Sequence, residues 1–430
     1  MLQLVSPPPA APGAPTTFSA RQTAAGVALA AISLLAIAAA AMQFGNWGDW
    51  GVEARPAAEA LVAGHLGLFL HVAPAYGPSL VLRAPFMLAT TLWHGGDNAI
   101  FRASAVPCLV AAGALGLWLS GRMRAKRAPA LACLLTGLVC FANPLLFPAL
   151  RTGHPEEILG AALAVAAVLC ALNDRPAWAG VLLGVAVANK EWAVIAAGPV
   201  LVALPRARVR AMLVAGVTGA ALMAPFLFGS SGAFVNATSS AGLSTGTIFQ
   251  PWQWWWFLGS APHAVGAVPV DPAALYRSAP PWLGGLGHTI PVAIMVPLTA
   301  LYAWQRRGAR HRAPHDALLL LSLVLALRCV LDPWDISYYA LPFLFALTAW
   351  EVLGVRRLPL VSLLATFAAW LILMETGNTA LYLPVNTQVL IFTLVSVAGV
   401  LAIAVRLYAP ALARRLVPAV PAPEPVPTTA

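Results

Sequence analysis

The run GVLLGVAVANKEWAVIAAGPVLVAL (residues 180–204) is apolar enough for a membrane span, yet Lys190 and Glu191 stand side by side near its middle. A charge at that depth costs about 3 kcal/mol on insertion scales, so it is rare and is kept for pairing or for chemistry. Three other short stretches carry polar groups of the same kind. GNWGDWGVEARPAAEALVAGHL (45–66) holds Asp49 after a Gly/Trp turn, then Glu53, Arg55 and Glu59. ALRTGHPEEILG (149–160) holds His154, Glu156 and Glu157, and LRCVLDPWDISYYALPF (327–343) holds Arg328, Asp332, Asp335, Tyr338 and Tyr339. An isolated carboxylate such as Asp49 is suited to accept a proton from an attacking hydroxyl. Cations in apolar surroundings, Lys190 and Arg328, are suited to hold an anionic leaving group as it departs. Together they fit nucleophilic substitution on a lipid-borne substrate whose leaving group is a phosphate.

Each motif also has a plainer explanation. Asp49 could open a solvated loop, although Trp47 and Trp50 flank it and suit a carboxylate held at a membrane interface. Glu53, Arg55 and Glu59 fit an amphipathic helix on the membrane surface. Pro155 starts a helix, and Glu156 with Glu157 then falls in a first turn where carboxylates suit the helix dipole. His154 beside these acids could ligate a metal, but adjacent ligands without partners elsewhere do not define a metal site, and no metal or other cofactor is expected. Lys190 and Glu191 could simply pair with each other, and Arg328 with Asp332 one turn on. Four tryptophans in five residues (Trp252, Trp254, Trp255, Trp256) fit interface anchoring, sugar stacking or the lining of a lipid groove.

The elements that must position these groups follow from composition. The 430 residues are 60% hydrophobic and only 9% charged, against about 25% charged in soluble chains. The pattern predicts an all-α polytopic membrane protein and excludes a soluble domain. The net charge of +10 is set by its distribution and does not imply nucleic acid. Apolar segments predict twelve spans: 24–44, 102–120, 130–147, 158–172, 177–188, 192–204, 211–228, 284–304, 313–331, 339–354, 358–375 and 387–406. Basic clusters mark cytoplasmic loops. RMRAKR (122–127), NDRP (173–176), PRARVR (205–210), QRRGARHR (305–312), VRR (355–357) and Arg406–Arg415 share one face only if 177–204 folds back as two short helices. Each arm would be roughly 18 Å long, short of the ~30 Å hydrocarbon core. Lys190 then lies at the floor of an outward-facing cavity. Residues 45–101 form a long first outer loop with juxtamembrane helices, in which 76–93 lies along or dips into the membrane. Residues 229–282 form a second large outer loop. The N-terminal tail 1–23 is read as disordered and cytoplasmic, 407–430 as a cytoplasmic Pro-rich tail, and 416–430 as disordered. The five cysteines show no paired loop spacing, so no disulfide is expected. There is no internal repeat, which argues against many transporter architectures.

With that layout the chain resembles the GT-C superfamily of membrane glycosyltransferases, most closely the family 87 type that includes polyprenyl-phosphate-mannose-dependent mannosyltransferases. The residues that carry the likeness are GDW with Asp49, RPAAEALVAGH and YGPSLVLRAPF in the first loop, AGVLLGVAVANKEW with Lys190, and LDPWDISYYALP. The resemblance implies a GT-C-like fold in the cell membrane with its active site on the extracytoplasmic face. It implies transfer of a mannose-like hexose or a pentose from a polyprenyl-phosphate donor to a glycolipid or polysaccharide hydroxyl, with Asp49 as base and Lys190 near the donor phosphate. Arg328 is expected to share the phosphate, with Glu53, His154, Glu156, Glu191, Trp252, Asp332, Tyr338 and Tyr339 lining the pocket. The chain departs from the family at GHPEE, where a shorter polar signature with Gln or Asn is expected. It also has no Asp-X-Asp pair in the first loop. A transporter or flippase of a lipid-linked anionic glycan would use the same cations without needing Asp49. A non-catalytic partner in cell-envelope assembly is the third reading.

Overall fold

Runs of Ala, Leu and Val broken by Pro and Gly fold as helices, the structure that satisfies its own backbone hydrogen bonds. A computed structural model of the protein describes residues 20–41, 48–245, 248–249, 251–260, 277–284, 286, 289–307, 315–332, 336–355, 358–376 and 381–416. Nineteen α-helices lie among them. The first seven are α1 (Ala20–Ala41), α2 (Arg55–Val62), α3 (Leu66–Val72), α4 (Gly77–Ala89), α5 (Asp97–Ala125), α6 (Ala130–Phe141) and α7 (Leu146–Thr152). There follow α8 (Pro155–Leu172), α9 (Pro176–Asn189), α10 (Ala197–Ala203), α11 (Arg208–Gly229), α12 (Ala233–Thr245) and α13 (Pro281–Gly284). The last are α14 (Thr289–Gln305), α15 (Asp316–Leu331), α16 (Ala340–Trp350), α17 (Leu360–Trp370), α18 (Val385–Tyr408) and α19 (Pro410–Leu416). One two-residue antiparallel pair, β1 (Ile248–Phe249) with β2 (Arg277–Ser278), is the sole sheet among the described residues.

The described residues are all-α but for that short pair, and the described parts of the twelve predicted apolar segments are mainly helical. Six stretches of the described residues are long and apolar enough to cross a membrane: Thr23–Ala41, Asp97–Ala125, Ala130–Thr152, Pro155–Leu172, Arg208–Gly229 and Val385–Tyr408. Others are shorter, including α9 and α14. Helix α15 is buried on every side, from Asp316 to Leu331, as expected of a helix at the centre of a bundle. No disulfide joins any of the five cysteines. Trp47, Asp335 and both extreme tails lie outside the described residues.

Small residues decide how the bundle closes. A methyl group on Gly184 would stand 2.5 Å from the Ala215 carbonyl oxygen, and Gly180 abuts Ala211 in the same way. Glycines spaced by four let helix backbones meet at this range. Position 180 meets 211 and position 184 meets 215, so α9 and α11 run parallel. Gly160, near the start of α8, lies against Asn189 and Trp192 at the end of α9, so α8 and α9 are antiparallel. The chain between α9 and α11 must therefore return to the end from which α9 set out. It does so through a break at Lys190, whose backbone is extended (φ −158°, ψ 125°), followed by a 3-10 turn over Glu191–Ala196 and by α10. The fold-back expected from charge counting is present.

Within the first loop, residues 76–93 hold helix α4, which packs one face into the protein. Helix α4 turns Ser79, Leu80 and Arg83 fully into the protein, and the Ser79 hydroxyl donates to Asn189 Oδ1 on α9 at 2.7 Å. Pro78 in the first turn and a mixed sequence let α4 bury one polar face while leaving Val81 and Phe86 exposed.

Candidate functional site

The site is built where α8 begins. Gly153 sits at φ +98°, a conformation that favours glycine, and ends α7. His154 then donates its backbone N–H to the Ala149 carbonyl at 2.8 Å. Pro155 opens α8, so Glu156 and Glu157 fall in its first turn. The sharp turn aims His154, Glu156 and Glu157 together into the bundle, where all three are buried.

His154 links an exposed carboxylate to buried charges. Its Nε2 lies 2.9 Å from Asp49 Oδ2 and its Nδ1 lies 2.6 Å from Glu156 Oε1. Burial alone would lower its pKa. The Glu156 charge and the hydrogen bonds to Asp49 and Glu156 outweigh that and lift it to about 10. The ring is therefore an imidazolium at neutral pH, donating from both nitrogens. The Asp49 side chain is 46% exposed, whereas Glu156 and Glu157 are closed off entirely.

Three cations answer the two buried glutamates. Lys190 Nζ is 3.5 Å from Glu156 Oε1 and 3.8 Å from Glu157 Oε1. Arg83 Nη2 is 3.6 Å from Glu156 Oε2, and Arg328 Nη2 is 3.6 Å from Glu157 Oε1. Trp192 Nε1 donates to Glu157 Oε2 at 2.9 Å, and Asn189 Nδ2 donates to the Glu156 carbonyl at 2.9 Å. Aromatic rings wall the cluster. Lys190 lies 4.2 Å from the Tyr76 ring centroid, and Arg328 lies 4.0 Å from that of Tyr339 and 4.7 Å from that of Trp192. The His154 ring neighbours Tyr76 and Tyr338, and the Tyr76 hydroxyl donates to Glu53 Oε2 at 2.8 Å. Several guanidinium nitrogens, Arg83 Nη1 and Arg328 Nε and Nη1 among them, are buried without a hydrogen bond. Buried donors of this kind retain capacity for an anionic acceptor.

The structure thus gathers Asp49, Glu53, His154, Glu156, Lys190, Arg328, Tyr338 and Tyr339 from four separate stretches of the chain. Asp332 caps the end of α15 at half burial, beside Arg328. Glu191 is exposed. One simple pairing does not hold. Lys190 meets Glu156 and Glu157, not its neighbour Glu191, because extended backbone at 190 separates adjacent side chains. Arg328 meets Glu157 across the bundle and also feels the charge of Asp332 beside it. The expected open cavity is, in this structure, a packed ion cluster open mainly at Asp49, with the Lys190 side chain only 11% exposed. The tryptophan run is also not simply an interfacial anchor. Trp254 donates to Ser396, Trp255 to the Leu331 carbonyl and Trp256 to Asn386. Trp252 is half-buried, packed against the main core.

Arg83, Tyr76, Asn189 and Trp192 belong to the cluster although sequence reasoning gave none of them a role, and Glu157, read there only as a first-turn carboxylate or candidate metal ligand, is at its closed end. Tyr76 and Arg83 stand in the YGPSLVLRAPF stretch, where an arginine inside an apolar helix was the available signal. A further grouping joins Asp49, Glu53 and His154, whose ligand-type atoms lie within 4.8 Å of one another, close enough to hold a metal ion. Glu156 on the second ring nitrogen is the kind of partner that orients a ligating histidine. Sequence spacing could not show this trio, since 105 positions separate Asp49 from His154.

Protonated His154 makes stability depend on pH with a definite sign. Its folded pKa of about 10 lies above the ordinary 6.5, so its contribution is complete below pH ~6.5 and is lost as pH rises toward 10. The unfolding midpoint in detergent should fall between pH 7 and 10 more steeply in the wild type than in His154→Gln. Parallel slopes for the two proteins would refute the imidazolium assignment.

Neither protein-family models nor curated proteins match this chain.

Proposed function

We propose that the chain is a membrane glycosyltransferase that moves a sugar from a polyprenyl-phosphate donor to an acceptor hydroxyl. The observation that carries this reading is the charge relay itself: an exposed carboxylate, Asp49, joined through His154 to buried Glu156 and from there to Lys190. In the reaction, the acceptor oxygen attacks the anomeric carbon from the face opposite the phosphate, with inversion. The bond from that carbon to the phosphate oxygen breaks, and the phosphate leaves with the electron pair. Asp49 takes the acceptor proton, held in position by the His154 N–H. Lys190 and Arg328 stabilise the departing phosphate in surroundings of low dielectric, where charge interactions are strongest. Arg83 holds Glu156 in register and thereby Lys190.

Donor binding then requires the aromatic wall of Tyr76, Tyr338 and Tyr339 to part, because the cations are nearly closed off. His154, as an imidazolium, together with Lys190, Arg83 and Arg328 balances the four carboxylates Asp49, Glu53, Glu156 and Glu157. Charge therefore closes without an ion, and the reading assigns no step to a metal. The site faces the extracytoplasmic side in this proposal, with twelve spans and both termini in the cytoplasm. Two features support that sidedness: Arg208 and Arg306 line one cavity with Leu172, at the end of α8 remote from the acids, and basic residues mark cytoplasmic ends.

The direct test uses purified full-length protein with synthetic polyprenyl-phosphate mannose and pentose donors and a panel of glycolipid acceptors. A glycosylated product, read by mass spectrometry, is the expected result. Movement of intact donor between vesicle leaflets without product would replace the enzyme by a flippase.

A further inference from the structure

A cavity of about 790 Å³ lies between α10 and α14, with Leu172 of α8 and Ala317 of α15 among its lining. Its basic end is separated from His154 by the length of α8, roughly 27 Å at 1.5 Å per residue, while its apolar end reaches Val194 in the turn that follows Lys190; none of the ion-cluster residues lines it. Gly198 of α10 meets Thr299 of α14, where a methyl group would stand 2.5 Å from Thr299 Cγ2. That contact pins the two helices together and leaves the cavity on their flank.

Its lining is divided by chemistry. Val194, Leu201, Val292 and Val296 make most of it apolar, and Val194 and Val296 are 52% and 61% exposed. The apolar wall therefore continues onto the outer surface of the bundle, where a membrane would supply hydrocarbon. At the other end stand Arg208, Arg306 and Arg307. Arg306 is held by Asp316 at 3.7 Å and by the Leu407 carbonyl at 3.0 Å. Arg208 and Arg307 are exposed. A volume in the ~300–1,000 Å³ range of ligand sites, apolar along its length and basic at one end, has the chemistry of a bound lipid. Basic pockets between membrane helices recognise anionic headgroups in this way.

We infer that this cavity binds one anionic phospholipid, its phosphate at Arg208 and Arg307 and an acyl chain along Val194, Leu201 and Val296. Its headgroup end is remote from the transfer chemistry, and the site does not rest on that reading.

The test uses the full chain in a neutral detergent, with lipid binding read by native mass spectrometry and by thermal stabilisation. Phosphatidylglycerol should bind at least about tenfold more tightly than phosphatidylcholine. Replacing Arg208→Gln and Arg307→Gln together should weaken phosphatidylglycerol by about thirtyfold, the worth of two basic side chains at an anionic headgroup. Val296→Trp, at an exposed position that tolerates bulk, should weaken both lipids by filling the chain path. Equal affinity for the two lipids, or a preference that survives the double substitution, would overturn the site. So would binding of free glycerol phosphate as tight as that of the lipid, since the apolar wall would then contribute nothing. None of these results bears on sugar transfer, which is assayed separately with the synthetic donor.

Discussion

Asp49→Asn should reach the membrane, fold, and fail to transfer sugar. A positioned general base contributes roughly 10²- to 10⁴-fold to rate, and asparagine keeps the shape while losing the basicity. The fold should hardly notice. The Asp49 side chain is 46% exposed, and the asparagine oxygen can still accept from His154 Nε2, so the stability change should stay within about 1 kcal/mol. The measurement pairs single-turnover transfer from polyprenyl-phosphate sugar with an unfolding curve in the same detergent. An unchanged rate would remove Asp49 from the chemistry. A lost rate with a lost fold would be uninformative about the base, so Asp49→Glu serves beside it: partial activity there, with normal stability, would show that a carboxylate is what the position requires.

Glu157→Gln should do the reverse and act chiefly on the fold. Glu157 is fully buried, touches Lys190 and Arg328, and accepts the Trp192 indole N–H. Removing its charge leaves two cations short of a counter-charge inside the bundle. Breaking a buried pair by neutralising one partner costs about 3–5 kcal/mol, because the remaining charge stays desolvated. Chemical unfolding of the purified variant should show a loss of that size. Adding Arg328→Met should recover part of it, since a buried charge no longer lacks its partner and methionine fills similar volume. If Glu157→Gln is as stable as the wild type, the ion cluster does not hold the bundle together. If the double variant is worse than the single one, Arg328 is stabilised by groups other than Glu157.

The two variants separate the roles of carboxylates that look alike in sequence. Asp49 lies at the open edge of the cluster and can meet a substrate hydroxyl. Glu157 lies at its closed end and can meet only protein. That difference is one of burial, and adjacency in the chain carries no information about it: Glu156 and Glu157 are neighbours, yet Glu156 serves His154, Arg83 and Lys190 while Glu157 serves Lys190, Arg328 and Trp192. Successive residues in a helix point about 100° apart, so the pair divides its partners between two sides of the bundle.

Much of the architecture was legible in the residues alone. Apolar run length and the scarcity of charge determined that the chain is helical and membrane-embedded, because a backbone in hydrocarbon must satisfy itself. The crowding of basic residues into a few loops determined that the segment around Lys190 turns back, and parallel packing of α9 on α11 through Gly180 and Gly184 requires that turn. The types of the chemically able residues were also visible, since Asp, His, Lys and Arg are conspicuous against so apolar a background. Which of them meet was decided only by the tertiary structure. Helix α4 brings Arg83 and Tyr76 to α8 from some seventy positions away, and no periodicity within α4 predicts what will pack on it. Charges pair with whatever opposite charge the fold brings within reach after burial has removed water, and that geometry is a property of the packed bundle, not of any one segment.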